Sequence, residues 1–128
     1  MKPKPTEREL RILQVLWKRG EATVRQVYED LREDLPIVQN TVQAFLRTME
    51  EKGLVEHRLE GRTFIYRPVE QQQQTAGQLA SQLLERVFDG ALDQLVQSVI
   101  EQRPPSKDEL QRLEALIAKA KAAQKKSR

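Results

Sequence analysis

Residues 38–68, VQNTVQAFLRTMEEKGLVEHRLEGRTFIYRP, change their hydrophobic period part-way along, and that change decides the fold. Up to Met49 the apolar residues Val42, Phe45, Leu46 and Met49 fall three and four apart, which collects them on one face of a helix. Lys52-Gly53 then supplies a basic last turn and a residue suited to a left-handed cap. From Leu54 the pattern alternates. Residues 54–58 and 63–67 flank Glu60-Gly61 and read as the two strands of a hairpin, which Pro68 ends.

Upstream, Pro36 punctuates a short connection from Glu33 to Ile37, and two helices are predicted before it. Thr6-x-x-Glu9 and Thr23-x-x-Gln26 each pair a hydroxyl at the N-cap with an acceptor three residues on, so two orphan backbone donors are satisfied reciprocally. The first helix should turn Leu10, Leu13, Leu16 and Trp17 inward, with Ile12 widening the stripe, and stop at Gly20. The second should present Val24, Val27, Tyr28 and Leu31. Three helices followed by a two-stranded hairpin is the winged helix-turn-helix plan.

Downstream, the polar run Gln71–Gln74 consists of fair helix formers and leads into a further helix. There Ala76, Leu79, Ala80, Leu83, Leu84, Val87 and Phe88 recur at helical spacing. Asp89-Gly90 interrupts, and the pattern restarts with Leu92, Leu95, Val96, Val99 and Ile100. Pro104-Pro105 break the chain before a third capping box, Ser106-x-x-Glu109, opens a last helix carrying Leu110, Leu113, Leu116 and Ile117. Beyond Lys119 the sequence thins to Ala, Lys and Gln, and a frayed basic tail is expected. Short helices with wide apolar faces and no sheet to cover them bury those faces poorly alone; the same segment of a second chain would complete them. The expected fold is therefore mostly α with a small β-hairpin wing. Residues 1–70 form the winged helix-turn-helix, 71–122 a helical dimerisation domain, and 123–128 the tail.

Bulk composition agrees. With 38% hydrophobic and 32% charged residues in 128, the chain is poor in core material, so a partner chain should supply part of the burial. There is no cysteine, which excludes disulfides, thiolate metal sites and a cysteine nucleophile. His57, the one histidine, reads as a strand surface residue, and carboxylates alone suit harder ions, so no metal and no cofactor is expected. No apolar run approaches the roughly 20 residues that span a bilayer, and Met1–Pro5 precedes no apolar stretch, so the expected location is cytoplasmic. Acid pairs such as Glu50-Glu51 and Glu29-Asp30 read as adjacent surface charges that aid solubility. No phosphate-cradling loop or nucleophile elbow appears, and an enzyme is not expected.

Charge alone does not name the partner: residues 1–70 hold 13 Lys+Arg against 12 Asp+Glu, so the placement of particular bases must decide. In helix-turn-helix proteins the second helix of the motif enters the major groove. Here that helix opens with Gln39, Asn40 and Thr41 and exposes Gln43, Ala44 and Arg47. Gln and Asn can bond adenine bidentately, Arg guanine, and Thr or Ala can touch a thymine methyl. Small polar residues at a helix start also serve as caps, so both uses are open for Asn40 and Thr41. The hairpin holds Arg58, Arg62 and Arg67, with Lys52 at its base, all suited to phosphate contacts, and Arg62 beside the turn is the first choice among them.

The stretches ELRILQVLWKRGEATVRQVYEDL, NTVQAFLRTMEEKGLVEHRLEGRTFIYRP and SKDELQRLEALI together resemble the penicillinase-repressor family, the BlaI, MecI and CopY type of regulator, from about Thr6 to Lys119. The resemblance implies a homodimer joined through its C-terminal helices that binds a dyad-symmetric operator in double-stranded DNA and represses transcription. Dimer contacts are then expected from Leu79, Leu83, Leu84, Val87, Phe88, Leu92, Leu95, Val96, Val99, Leu113, Leu116 and Ile117. Thr41 matches the threonine of the family's recognition-helix core. Gln43 and Ala44 stand where the antibiotic-resistance repressors often have Arg and Thr, and Thr48-Met49 replaces a frequent Arg-Leu. Members released by proteolysis, triggered through a membrane sensor protease, are cut at an Asn-Phe bond; the matching pair is Ser98-Val99. Copper-responsive members carry a cysteine cluster that this chain lacks. Two other readings stand beside operator-specific repression: a winged-helix protein-interaction scaffold without sequence-specific DNA binding, and a monomeric architectural DNA binder.

Overall fold

The computed structural model describes residues 4–127; Met1–Pro3, and Arg128 of the expected basic tail, lie outside the described residues. Nine elements follow one another: α1 (Glu7–Arg19), β1 (Ala22–Thr23), α2 (Val24–Leu31), α3 (Gln39–Glu51), β2 (Val55–Glu60), β3 (Thr63–Pro68), α4 (Gln72–Phe88), α5 (Leu92–Gln102) and α6 (Lys107–Lys126). They form two compact units, one through Ser81 and one from Gln82 onward.

In the first unit all the expected helix starts form. Thr6 Oγ1 accepts from the Glu9 amide at 3.2 Å while Glu9 Oε1 accepts from the Thr6 amide at 2.9 Å, and Thr23 with Gln26 repeats the exchange. Gly20 ends α1 with φ 88° and donates to Leu16 O at 2.7 Å. The core joins the three helices to the sheet: Ile12, Leu13, Leu16, Val27, Leu31, Val42, Leu46 and Met49 pack with Ala22, Val55 and Tyr66. Leu10 and Trp17 are only half-buried, and the more enclosed residue on that side of α1 is Glu9. Trp17 sits at the rim because its indole N–H donates to Glu70 O at 2.9 Å, a polar handle that a fully apolar site could not satisfy.

The wing is a hairpin in register from Val55↔Pro68 to Glu60↔Thr63, leaving Gly61 and Arg62 as its two-residue turn, with Gly61 at φ 64°. A third strand was not expected from the sequence. β1 pairs antiparallel with β3 through Ala22↔Tyr66 and Thr23↔Ile65, which makes β3 the central strand. Two residues are too few to show an alternating pattern, and Thr23 reads from sequence as an N-cap. It does both jobs.

α3 ends in a Schellman motif: Leu54 N–H donates to Met49 O at 2.9 Å and Gly53 N–H to Glu50 O at 3.0 Å. Gly53 has φ 82° and open space where a Cβ would stand. Gly53→Ala therefore meets backbone strain without a clash. It is expected to lower stability by about 1 kcal/mol, read as a reduced thermal midpoint.

In the second unit Asp89 (φ 50°) and Gly90 (φ 82°) end α4, and Gly90 N–H donates to Leu84 O at 3.0 Å. Ser106 and Glu109 close the third capping box at 3.1 and 3.2 Å. Arg103, the C-cap of α5, bonds the same carboxylate; together with the Ser106 amide it holds Glu109 down at about 2. The connection through Pro104-Pro105 is thus fastened at both ends. Two boundaries differ from expectation. α6 continues to Lys126, so the tail expected from residue 123 is helical for four more residues; Ala, Lys and Gln are strong helix formers and nothing there breaks the helix. The division between units falls inside α4, not at residue 70, because the first turns of that helix belong to the winged-helix body: Thr75 is buried, in contrast to every residue of α5 and α6. No helix among the described residues is long and apolar enough to cross a membrane.

Candidate nucleic-acid interface

α3 has two unlike faces. Val42, Leu46 and Met49 are 0% exposed against the core, whereas Asn40, Thr41, Gln43, Ala44 and Arg47 all face solvent. Gln39 is half-buried. The N-cap is Val38, which has no side chain able to bond the first-turn amides, so Asn40 and Thr41 are not capping groups. Their side chains are left for other partners, next to the positive end of the helix dipole.

Beside this face lies an open groove of about 450 Å³, bounded by Arg25 on α2, Gln39 and Gln43 on α3, and Arg62, Thr63 and Phe64 on the wing. Three of the residues expected from sequence, Gln39, Gln43 and Arg62, are thus brought together. Arg25 was missed. Its signal in the sequence is that of an ordinary helical ion pair, and it does bond Glu29 at 2.8 Å, four residues on. Only the tertiary fold sets its Nη1 3.5 Å from Gln39 Oε1.

The wing bases separate sharply. Arg58 is held by Glu21 at 2.8 Å and by Glu60 at 2.9 Å, and its guanidinium holds the Glu21 carboxyl below the ordinary range. Arg67 bonds Glu56 across the hairpin at 2.6 Å. Lys52 does not face the wing's surroundings at all. Its ammonium sits 2.9 Å from both oxygens of Glu9, which is 2% exposed. Burial pushes the Glu9 carboxyl up, but the Thr6 amide and Lys52 outweigh it, and its pKa ends below the ordinary 4.5. Lys52 is thus a core fastener between α1 and α3. Of the four bases at the hairpin, Arg62 is the one with no ion pair among the described residues, and Arg47 on α3 is likewise unpaired.

Three of the four acids read from sequence as solubility charges have partners. Asp30 bonds Arg19 at 2.7 Å, Glu29 bonds Arg25, and Glu50 bonds His57. In the second unit Ser98 and Val99 lie inside α5, so the bond between them is in a regular helix. The residues expected at a dimer contact are left uncovered. Leu83, Val87, Leu92, Val96, Val99, Leu116 and Ile117 are exposed, and Leu79, Leu84, Phe88, Leu95 and Leu113 half-buried.

Comparison with known proteins settles the kinship. The model of the penicillinase repressor family matches residues 5–119. The chain belongs to the penicillinase repressor family. The chain extends over nearly the whole length of two curated relatives. It is 25% identical to the penicillinase repressor of Bacillus licheniformis, over 96% of each chain. It is 17% identical to the methicillin resistance regulatory protein MecI of Staphylococcus aureus, over 87% of this chain and 90% of that one. Its fold matches the solution structure of the DNA-binding domain of the repressor BlaI with a TM-score of 0.50 and 30% identity, covering 56% of this chain and 90% of that one. It also matches monomeric B. licheniformis BlaI solved in complex with the blaP half-operator, with a TM-score of 0.50 and 27% identity over 57% of this chain and 89% of that one.

Proposed function

We propose that this penicillinase repressor relative is a DNA-binding transcriptional repressor that lays α3 in a major groove and rests its wing on the sugar-phosphate backbone. One observation carries the reading: Thr41, Gln43 and Arg47 turn hydrogen-bonding side chains to solvent beside the exposed Ala44, on a helix whose other face buries Val42, Leu46 and Met49. Gln43 and Arg47 are the side chains that can read base edges, Thr41 and Ala44 those that can meet a thymine methyl, and Arg62 the phosphate contact. That the similar BlaI has been solved in complex with a half-operator supports DNA as the partner. The chain acts in the cytoplasm, where its DNA lies.

The repressor works as a homodimer joined by α4, α5 and α6. No residue of α5 or α6 is buried, and Leu92, Val96, Ile100 and Ile117 line an open apolar hollow of about 770 Å³. A surface of that kind on a short chain calls for a cover. Two recognition helices would then enter successive major grooves about 34 Å apart. Val96→Ala should raise the dimer dissociation constant about tenfold, measured by light scattering over a dilution series. A membrane sensor protease that relieved repression at Ser98-Val99 would first have to open α5. Selecting genomic fragments with the purified chain at moderate salt tests the whole reading. A single recurrent dyad-symmetric sequence is expected, and fragments retained without any common sequence would reject it.

A further inference from the structure

His57, the chain's one histidine, stands where the wing meets the recognition helix. Its Nδ1 lies 2.7 and 2.8 Å from the two carboxylate oxygens of Glu50, in the last turn of α3. Its ring stacks on Phe64 with centroids 4.1 Å apart and planes 15° from parallel, and tilts against Tyr66 at 5.5 Å. The charged and titratable groups around it are few. From α3 come Glu50 and also Arg47, which acts on the neighbouring Tyr66; from β3 comes the Tyr66 phenol, raised by burial and by Glu50. β1 brings Ala22 and Thr23, neither titratable, to Tyr66 and Ile65. On its own strand Glu56 is taken by Arg67, and Arg58 by Glu21 and Glu60. Glu50 is the carboxylate left to it.

Resting on the DNA-binding reading above, we propose that His57 is a positioning residue: bonded to Glu50, it latches the wing to the end of the recognition helix, and its protonation tightens the latch and raises affinity for DNA. Arg62 at the wing tip and the exposed face of α3 must meet the same duplex, so the spacing between them governs how many contacts form at once. A hydrogen bond between imidazolium and carboxylate is roughly twice as strong as one from the neutral ring. Histidine is the side chain whose charge ordinarily changes between about pH 5 and 8, and this chain has one histidine and no cysteine. A proton-linked change in affinity in that range therefore has a single side-chain source to be tested.

Fluorescence anisotropy of the full chain on its selected operator duplex, at fixed ionic strength from about pH 8 to about pH 6, tests the latch. Affinity should rise about three- to tenfold for the unaltered chain and stay level, within about twofold, for His57→Gln and for Glu50→Gln. The dependence of log affinity on log salt should keep its slope in both variants, because neither side chain touches phosphate. Glu50→Gln, which leaves the aromatic stack untouched, decides the matter if His57→Gln does not fold. A pH response that persists in Glu50→Gln overturns the latch, as does a slope shallower by about 0.9 in His57→Gln, the mark of a direct phosphate contact. Binding that is flat with pH in the unaltered chain overturns the latch alone, whereas no operator binding at any pH overturns the DNA-binding reading and the latch with it.

Discussion

Lys52→Met is expected to destabilise the winged-helix unit by about 3 kcal/mol, the low end of the cost of leaving a buried charge without its partner. Glu9 is 2% exposed and Lys52 28%, so removal of the ammonium strands an enclosed carboxylate with Thr6 alone to satisfy it. For a domain of this size that loss corresponds to a drop of more than about 10 °C in thermal midpoint. The single tryptophan, Trp17, sits in the same unit and bonds Glu70 O, so its fluorescence follows the transition directly. Glu9→Gln in the Lys52→Met background should recover more than half of the loss, because the amide keeps an oxygen for Thr6 and carries no charge. The pH dependence has a definite sign. The folded pKa of Glu9 lies below the ordinary 4.5, so its contribution is fully present above pH 4.5 and disappears as the pH falls below that value and the carboxyl protonates. Lys52→Met should flatten that part of the acid limb, and an unchanged thermal midpoint would show that the pair does not hold α1 to α3.

The second large effect is expected in DNA binding. Arg47→Ala with Arg62→Ala should weaken operator affinity about a hundredfold at constant salt, about tenfold for each charged hydrogen-bonding contact removed. The slope of log affinity against log salt should fall by about 0.9 for each of the two that meets a phosphate. Arg58→Ala and Arg67→Ala provide the contrast, for their guanidinium groups are already engaged by Glu21, Glu60 and Glu56. Those two should change affinity by no more than about threefold and leave the slope alone. Equal losses at all four positions would mean that a diffuse positive field draws the DNA, and that the free arginines have no special part.

Much of this molecule is legible from short windows of its sequence. The three capping boxes, the glycine after α1, the left-handed Gly53 that closes α3 and the change of period at Leu54 each act over one or two turns, and every one forms as expected. The exposed face of α3 is legible for the same reason, since helical spacing that buries Val42, Leu46 and Met49 necessarily turns Gln43, Ala44 and Arg47 outward. Less could be read where partners are far apart along the chain. Glu9 reads locally as a capping residue and Lys52 as a wing base, yet 43 residues separate this bonded pair. Arg58 and Glu21 are 37 apart, and Arg25 meets Gln39 only because α2 and α3 pack together.

The sequence by itself therefore determined where the capped helices begin, where the hairpin turns, and which side of α3 is polar, because backbone capping and side-chain periodicity are settled between near neighbours. The tertiary structure alone decided which cations are left without an ion pair among the described residues, that a two-residue strand completes the sheet, and that a glutamate belongs in the core. Ion pairing and burial depend on which distant groups the fold brings within about 4 Å, and no local pattern encodes that meeting.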